Sequence, residues 1–275
     1  MNLKTLVLVA LCAAPIVACE RNTEGSPFEP DALAAVRFVN AVPDTMALDY
    51  RIVDIATNAG LYDATFRNNQ GFYNPILAGD HTIKVFLSST DPAVTQTVVY
   101  EQGFTFLEGT SYTFLHYGYM RAGQTPAVAV SIVEDSPPAP AAGKIAVRVL
   151  NLAAGLGAVD VFMGTNSDTT VLPAAAPGWT NVAFGAFTPY VDMDPAAYIV
   201  AATATGTTTP MLVRRTTAPA GLAASGTTSG IAGVTIAGSA LTIVVFPRSV
   251  SGSTAPQTSA FTRPAVAFLY DRRPE

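Results

Sequence analysis

The sequence predicts an all-β protein made of two tandem antiparallel β-sandwich domains. Three observations support this: short runs rich in Val, Ile, Thr, Phe and Tyr, the Gly, Pro, Asp and Asn residues that separate them, and an internal repeat. Runs of about four to eight such residues between turn-forming residues are typical of β-strands. Roughly seven strands per hundred residues favour an immunoglobulin-like or transthyretin-like sandwich, and a small open barrel is the alternative.

The internal repeat consists of three blocks that occur twice in the same order. The matching blocks are residues 35–40 (AVRFVN) with 146–151 (AVRVLN), 108–114 (EGTSYTF) with 237–243 (AGSALTI), and 126–137 with 264–275. Such an arrangement predicts the duplication of a unit of domain size. The spacing between matching blocks grows along the chain, which predicts insertions in the second copy.

A polar motif is shared by both copies. Its residues are Arg37, Asn40 and Asp49 in the first copy and Arg148, Asn151 and Asp160 in the second. Two interpretations are open: a ligand site that occurs twice, or a structural motif in which the aspartate ties down the loop before a second strand. The structural interpretation is favoured, because Asp and Asn bond nearby backbone N–H groups in turns. The loops between the motif residues also differ, AVPDTMAL against LAAGLGAV.

The domain boundaries follow from composition. Residues 21–31 are polar with two prolines and one glycine, and residues 135–143 (DSPPAPAAG) contain three prolines. Such stretches are typical of tethers and spacers. The predicted organisation is a signal peptide at 1–18, a flexible tether at 19–33, a first domain at 34–136, a Pro-rich linker at 137–143 and a second domain at 144–275.

The N-terminal segment predicts export and lipid anchoring. Lys4 precedes an apolar run, residues 6–14, that is too short for a membrane span, and this pattern is typical of a secretory signal peptide. Residues 16–19 (IVAC) resemble the bacterial lipobox, which implies cleavage before Cys19 and its lipidation; an ordinary signal cut after residue 18 is the alternative. The residue after Cys19 is Glu20. Aspartate at this position would favour retention in the inner membrane, so Glu20 predicts the outer membrane, with the protein facing the periplasm or the surface.

Charge and cysteine content argue against a nucleic-acid-binding protein and against a disulfide-stabilised one. Lys and Arg number 15 against 20 Asp and Glu, and basic residues cluster no further than two pairs, at 214–215 and 272–273. Binding to nucleic acid needs many clustered cations, so no nucleic acid partner is expected. Only one cysteine remains after cleavage, so no intramolecular disulfide is expected either. No later apolar run is long enough for a transmembrane span.

Residues suited to catalysis are sparse. His81 and His116 are the only histidines, and they align with Tyr198 and Val245 of the second copy, which favours structural roles. A G-x-S-x-G elbow, a Gly-rich phosphate loop and a metal-spaced His/Cys pair are all missing from the sequence. The prediction is a protein that is not an enzyme and that has no catalytic residue, cofactor or metal.

Asp192 and Asp194 lie on one side of an extended segment and offer oxygen ligands for calcium. Two solvated carboxylates at a strand end are the favoured interpretation.

Aromatic residues are the remaining candidates for binding. The candidate binding residues are Phe104, Tyr112, Tyr117, Tyr119 and Trp179. They would form a platform for a glycan or peptide if they faced outward, and Trp179 alone would offer an exposed contact. Packing in the core or between the domains is the favoured interpretation.

Residues 36–52 (VRFVNAVPDTMALDYRI) resemble the opening of a bacterial exported family, domain of unknown function 4397 (DUF4397), which typically reads V-R-V-V-H-A-S-P-D-A-P-A-V-D-V-Y-V. The positions in register are Val36, Arg37, Pro43, Asp44 and Asp49, whereas Asn40 replaces the usual histidine. Residues 78–86, 109–118 and 133–151 are similar to later parts of the family pattern. The second copy is looser, because AAGLGA replaces the Pro-Asp loop. The resemblance implies two tandem copies at the cell envelope and supplies no catalytic residues.

Three classes of function follow in order of preference. The first is a non-catalytic lipid-anchored module of the envelope or surface that acts through protein, glycan or wall contacts. The alternative is a lipoprotein that binds a small molecule or carbohydrate, which a pocket lined by aromatic residues would favour. An envelope hydrolase comes last. The expected partners are the membrane, through the lipid, and an envelope protein or glycan.

Overall fold

A computed structural model describes residues 31–55 and 60–274, which are almost entirely β. The strands are β1 (Leu33–Ala41), β2 (Leu48–Ile52), β3 (Leu61–Ala64), β4 (Asn74–Leu77), β5 (Gly79–Leu87), β6 (Val98–Phe106), β7 (Ser111–Tyr117), β8 (Ala129–Asp135), β9 (Ile145–Asn151), β10 (Val159–Gly164), β11 (Trp179–Val182), β12 (Val191–Met193), β13 (Ile199–Ala204), β14 (Met211–Thr217), β15 (Ala240–Phe246) and β16 (Ala265–Arg272). One helical turn, α1 (Pro92–Thr95), begins after Asp91, whose carboxylate accepts a hydrogen bond from the Ala93 N–H. No helix among the described residues is long and apolar enough to cross a membrane.

The first half (β1–β8) and the second half (β9–β16) are each a sandwich of two four-stranded sheets, which confirms the predicted fold class. The first half contains outer sheet 1 (β3-β2-β5-β6) and inner sheet 1 (β4-β1-β7-β8). The second half contains outer sheet 2 (β11-β10-β13-β14) and inner sheet 2 (β12-β9-β15-β16). Corresponding sheets therefore have the same strand order. Most pairs are antiparallel, but β1 with β7 and β9 with β15 are parallel.

Each half has its own hydrophobic core between its outer and inner sheets. In the first half, Val36, Phe38 and Phe114 of inner sheet 1 pack against residues of outer sheet 1 such as Tyr50 and Val85. In the second half, Val147, Val149 and Ile243 belong to the equivalent cluster. Side chains alternate along a strand, so the residues between these positions point to the other side of the inner sheets.

The other sides of the two inner sheets pack against each other. A third apolar cluster contains Val39 and Leu115 from the first half and Leu150, Val244 and Phe246 from the second. The order of layers is therefore outer sheet 1, inner sheet 1, inner sheet 2 and outer sheet 2. All residues of β9 and β15 are buried, as expected for strands covered on both faces. The described residues from Ala32 onward form one compact unit.

The predicted linker at 137–143 falls between the end of β8 at Asp135 and the start of β9 at Ile145. The predicted signal peptide and Cys19 lie outside the described residues.

Candidate functional site

Two buried ion pairs join the halves, and each uses one arginine of the repeated motif. Arg37 on β1 donates from Nη2 to Oδ1 of Asp271 on β16 over 2.6 Å. Arg148 on β9 donates from Nη2 to Oδ1 of Asp135 on β8, also over 2.6 Å. Each arginine thus pairs with an aspartate of the other half. The side chains of Arg37, Asp135 and Asp271 are fully buried or nearly so.

Two threonines and Tyr190 supply the remaining hydrogen bonds of this network; the Tyr190 hydroxyl donates to Asp271 at 3.0 Å. Arg37 Nε donates to Thr113 Oγ1 at 2.7 Å, and Arg148 Nε donates to Thr242 Oγ1 at 2.8 Å. Thr113 donates in turn to Asp135, and Thr242 donates to Asp271. Buried charges need this full set of partners, because a charge removed from water is costly unless it is paired and hydrogen-bonded.

Aromatic rings cover the guanidinium groups. Arg37 lies 4.3 Å from the ring centroid of Tyr73, and Arg148 lies 4.3 Å from that of Phe187 and 4.7 Å from that of Tyr190. Burial by itself lowers the pKa of Arg37. Electrostatic interactions with Asp271, Tyr73 and Asp135 outweigh this effect, so the pKa is raised above its ordinary value. The arginines of the motif are therefore parts of the junction between the halves, with charges neutralised inside the protein.

The asparagines of the motif bind backbone groups within their own half. Asn40 donates from Nδ2 to the Ala64 carbonyl at 2.8 Å. Asn151 donates from Nδ2 to the carbonyls of Gly157 and Val182 at 3.0 and 2.9 Å. Each asparagine also accepts from the N–H two residues ahead. These contacts leave both amides engaged inside the fold.

The motif aspartates accept backbone hydrogen bonds from residues distant in sequence. Asp49 accepts from the Asp63 N–H at 2.9 Å and pairs with Arg51. Asp160 accepts from the N–H of Asn181 in β11 at 2.7 Å and of Gly206 in the turn after β13 at 2.8 Å, so it joins a neighbouring strand and a turn. Asn181 has a φ of 51°, a left-handed conformation that needs such support in a residue other than glycine.

We expect Asp160→Ala to lower the free energy of unfolding by about 1–3 kcal/mol, because the buried Asp160 carboxylate accepts two backbone hydrogen bonds that are then lost. Asp49→Ala should have a similar effect on the first half. Urea unfolding monitored by circular dichroism measures both. Asp168→Ala is the control, since Asp168 makes a comparable turn contact to Thr170 on the exposed surface, and its loss should change stability little. An unchanged midpoint for Asp160→Ala would contradict the structural role.

Both histidines have partners inside the fold. His81 lies 3.0 Å through Nδ1 from a carboxylate oxygen of Asp54 and 3.0 Å through Nε2 from the Leu77 carbonyl. His116 is 1% exposed, and its Nδ1 lies 3.2 Å from the hydroxyl of Tyr50. Burial lowers the pKa of His116 to about 3, which leaves its imidazole uncharged at neutral pH.

The paired carboxylates of the second half do not converge. Asp192 accepts from the Ala141 N–H at 3.0 Å, while Asp194 forms an exposed ion pair with Lys144 at 2.7 Å. Across residues 31–55 and 60–274, no group of three or more His, Cys, Asp or Glu residues is arranged to hold a metal ion.

Four of the five candidate aromatic residues are packed inside the protein. Phe104 and Tyr112 lie in the first core with ring centroids 5.2 Å apart. Tyr117 contacts Phe184 of the other half, with ring centroids 5.4 Å apart. Trp179 is only 6% exposed and lies in the second core, so the suggestion of an exposed contact there was wrong. Its place at the first position of β11 turns the indole toward the core.

Tyr119 is different, because it lies at a cleft between the halves. Its hydroxyl donates to the Ala154 carbonyl at 3.2 Å, so a residue of the first half bridges to a loop of the second. Gly155, with φ of 82°, permits this contact: a Cβ there would lie 2.5 Å from the Tyr119 oxygen. The cleft consists of two cavities of about 530 and 490 Å³ that share Tyr119 and Arg248 in their walls. We call these the first and the second cavity.

One wall of the cleft is the long loop between β15 and β16, residues 247–264, and Arg67 of the first half fixes it. The Arg67 guanidinium donates to four carbonyls of that loop, those of Pro247, Ala260, Phe261 and Arg263. Burial lowers the pKa of Arg67 to about 10, so it remains charged at neutral pH. The Val250 N–H also donates to the Pro43 carbonyl at 2.9 Å.

The sequence did not single out Arg67, Arg248 or Ser249, although they build this cleft. One signal was present: matching blocks drift apart between residues 243 and 264 of the second copy, which marks an insertion. The structure places that insertion in the cleft wall. Nothing in the local sequence indicates that Arg67 reaches it.

Comparison with protein families gives one match. Residues 34–162 match the model of a domain of unknown function, DUF4397. This span covers slightly less than half of the chain; it includes the whole first half and the start of the second, up to β10. The resemblance is therefore confirmed for one copy. No curated protein matches the chain.

Proposed function

We propose that the protein is a non-catalytic, lipid-anchored module of the cell envelope that acts by contact with a protein, a glycan or the wall. The observation that carries the proposal is the use of the charged motif residues. Arg37 and Arg148 pair with aspartates across the halves at 2.6 Å, so the polar residues common to both halves build the body of the protein. Such a body is suited to presenting a surface.

We infer that the two halves are tandem copies of one domain in a bacterial lipoprotein. The equal strand orders of the two inner sheets and of the two outer sheets support the duplication. Equivalent pairing of Asn40 with His116 and of Asn151 with Val245 supports it further. The charge and apolar pattern of residues 1–18 and the sequence at 16–19 (IVAC) support export and acylation, and Glu20 supports the outer membrane, with a periplasmic or surface-facing body.

We expect Cys19→Ser to move the protein out of the membrane fraction or to block its processing. The reason is that the lipid chains on one cysteine supply the anchor, at about 0.8 kcal/mol per buried methylene. Detergent phase partition of cells that express each form measures this. Cys12→Ser, within the predicted signal peptide, is the matched control and should leave partition unchanged. Wild-type protein in the aqueous phase would contradict lipid anchoring.

The contact role is tested separately by sedimentation. The purified Cys19→Ser chain, mixed with washed envelope fragments of the host, should sediment with them saturably. Treatment of the fragments with protease or with a wall hydrolase then identifies protein or glycan as the partner. Sedimentation that is absent, or that rises without saturation, would contradict the proposal.

A second candidate function, a lipoprotein that binds a small molecule or carbohydrate, is favoured by the cleft at Tyr119. Its two cavities fall within the range of about 300–1,000 Å³ that is typical of ligand pockets. One of the aromatic residues suggested for binding forms part of their shared wall.

A further inference from the structure

We propose that the cleft between the halves binds a small hydroxylated carboxylic acid of the acidic-sugar class. This inference rests on the second candidate function and specifies its ligand. It does not require the lipid anchor or the envelope contact.

The first argument is the charge of the cleft. Arg248 lies in the walls of both cavities, and Arg214 and Arg263 line the second. Within residues 31–55 and 60–274, none of these three guanidinium groups forms an ion pair with a carboxylate. The chain as a whole carries a formal charge of −5, so three unpaired arginines around one cleft make the local charge positive in a protein that is negative overall.

The carboxylate of Asp44 acts on Tyr119 of the cleft wall, and it is already engaged. Its two oxygens accept from the N–H groups of Met120 and Arg121 at 2.9 and 3.0 Å. Burial raises the pKa of Tyr119, Arg248 lowers it and Asp44 raises it. The arginines are thus left available to a carboxylate from outside, which a guanidinium binds through two parallel hydrogen bonds.

The second argument is a buried hydroxyl without a partner. Ser249 is 3% exposed and lines the first cavity, and its Oγ makes no hydrogen bond to the protein. Buried polar groups are nearly always hydrogen-bonded. A ligand oxygen in the first cavity would satisfy the Ser249 hydroxyl next to the positive charge of Arg248.

The third argument is the mixed lining of the cleft. The first cavity offers hydroxyl and amide groups from Gln124, Ser251 and Thr262. The second adds apolar surface from Leu156 and Pro264 beside its arginines. A sugar ring carries hydroxyl groups on its rim and C–H groups on its faces, so an acidic sugar matches this combination of polar groups, apolar surface and arginines.

The cleft is also preformed. Five hydrogen bonds from Arg67 and one from the Val250 N–H hold the 247–264 loop against the first half. A wall fixed in this way loses little conformational entropy when a ligand binds.

The test is calorimetric titration of the purified full-length protein with sodium galacturonate. Methyl galactoside, which lacks the carboxylate, and sodium sulfate, which lacks the sugar, are the matched probes. We expect saturable binding of galacturonate and at least tenfold weaker binding of both other probes. No saturable binding of galacturonate, or equal binding of sulfate or of methyl galactoside, would overturn the proposal.

Variants assign the binding to the cleft. Arg248→Gln should weaken galacturonate binding at least tenfold. Arg273→Gln, which removes an exposed arginine beyond the far end of β16 from the cleft, should not change it. Ser249→Ala should weaken binding without lowering the melting temperature, because it removes an unpaired buried group. Binding that is insensitive to Arg248→Gln would overturn the site. If galacturonate does not bind but the lipid anchoring and the saturable sedimentation with envelope fragments are observed, the ligand proposal is wrong and the contact role is still supported.

Discussion

Replacement of Asp271 by alanine is expected to lower the free energy of unfolding by about 3–5 kcal/mol, the usual effect of removing one partner of a buried ion pair. The change leaves the guanidinium of Arg37 without its 2.6 Å partner in a fully buried position. Asp135 remains 3.5 Å from Arg37, but its closer partner is Arg148, so it neutralises both arginines poorly. Asp135→Ala should destabilise the protein for the equivalent reason.

A matched control is available on the surface. Asp194 forms an ion pair with Lys144 at 2.7 Å, nearly the same length, but its side chain is 80% exposed. Exposed pairs contribute little because water and salt screen them. Asp194→Ala should therefore leave the urea midpoint almost unchanged. If Asp271→Ala and Asp194→Ala lowered the free energy of unfolding equally, burial of the network would have no effect on its contribution to stability.

The double variant Arg37→Met with Asp271→Leu separates pairing from packing. Both charges are removed, and apolar side chains fill the same layer beside Val244 and Leu269. Replacement of a buried pair by apolar residues is often neutral or stabilising. We expect the double variant to be more stable than Asp271→Ala alone. If it is as unstable as the single variant, the loss comes from packing and not from the unpaired charge.

The sequence predicted the β fold well because strands and turns leave local signals. Residue type predicts that Asp49 and Asp160 hold the loop before the second strand, whereas in the structure the backbone hydrogen bonds that they accept come from Asp63 in β3, Asn181 in β11 and Gly206. The pairing of the halves is not local. Arg37 and Asp271 lie 234 positions apart, and an arginine within an apolar strand gives no indication of which half will supply its partner.

Matching of the repeats also missed this pairing. The blocks at 126–137 and 264–275 place Val133 opposite Asp271, whereas in the structure Asp135 and Asp271 occupy equivalent places. A shift of two residues keeps the same face of a strand, so the pattern of apolar residues does not reveal it. The irregular register where Tyr270 and Arg272 pair with β15 adds to the difficulty.

The sequence predicted only part of the cleft. The widening distance between repeat blocks indicates extra residues in the second copy, and these form the 247–264 loop. Their position against the first half depends on Arg67, which lies in a turn after β3 and reaches across 180 positions to Pro247. Such a contact follows from the stacking of the four sheets, which single-strand patterns do not determine.

Acid is expected to destabilise the protein through His116. Burial lowers the pKa of His116 to about 3 in the folded state, against about 6.5 in an unfolded chain. Between these values the unfolded state binds more protons than the folded state, so stability rises with pH. The free energy of unfolding should therefore fall by about 1.4 kcal/mol for each pH unit below about pH 6. Urea unfolding at several pH values between 4 and 7 measures the slope.

The matched variants assign that slope to the imidazole. The second half has Val245 at the position equivalent to His116, where it pairs with Asn151, so valine is the matched replacement. His116→Val should abolish the dependence of the free energy of unfolding on pH between pH 4 and 6, whatever its effect on absolute stability. Tyr50→Phe removes the hydrogen bond to Nδ1 but keeps the buried histidine, so it should retain the slope. Tyr50 and Tyr100, whose rings face His116, have pKa values raised by burial and are uncharged in this range. Asp54 has a lowered pKa and contributes only at more acidic pH. An undiminished slope in His116→Val would show that other groups cause the acid sensitivity.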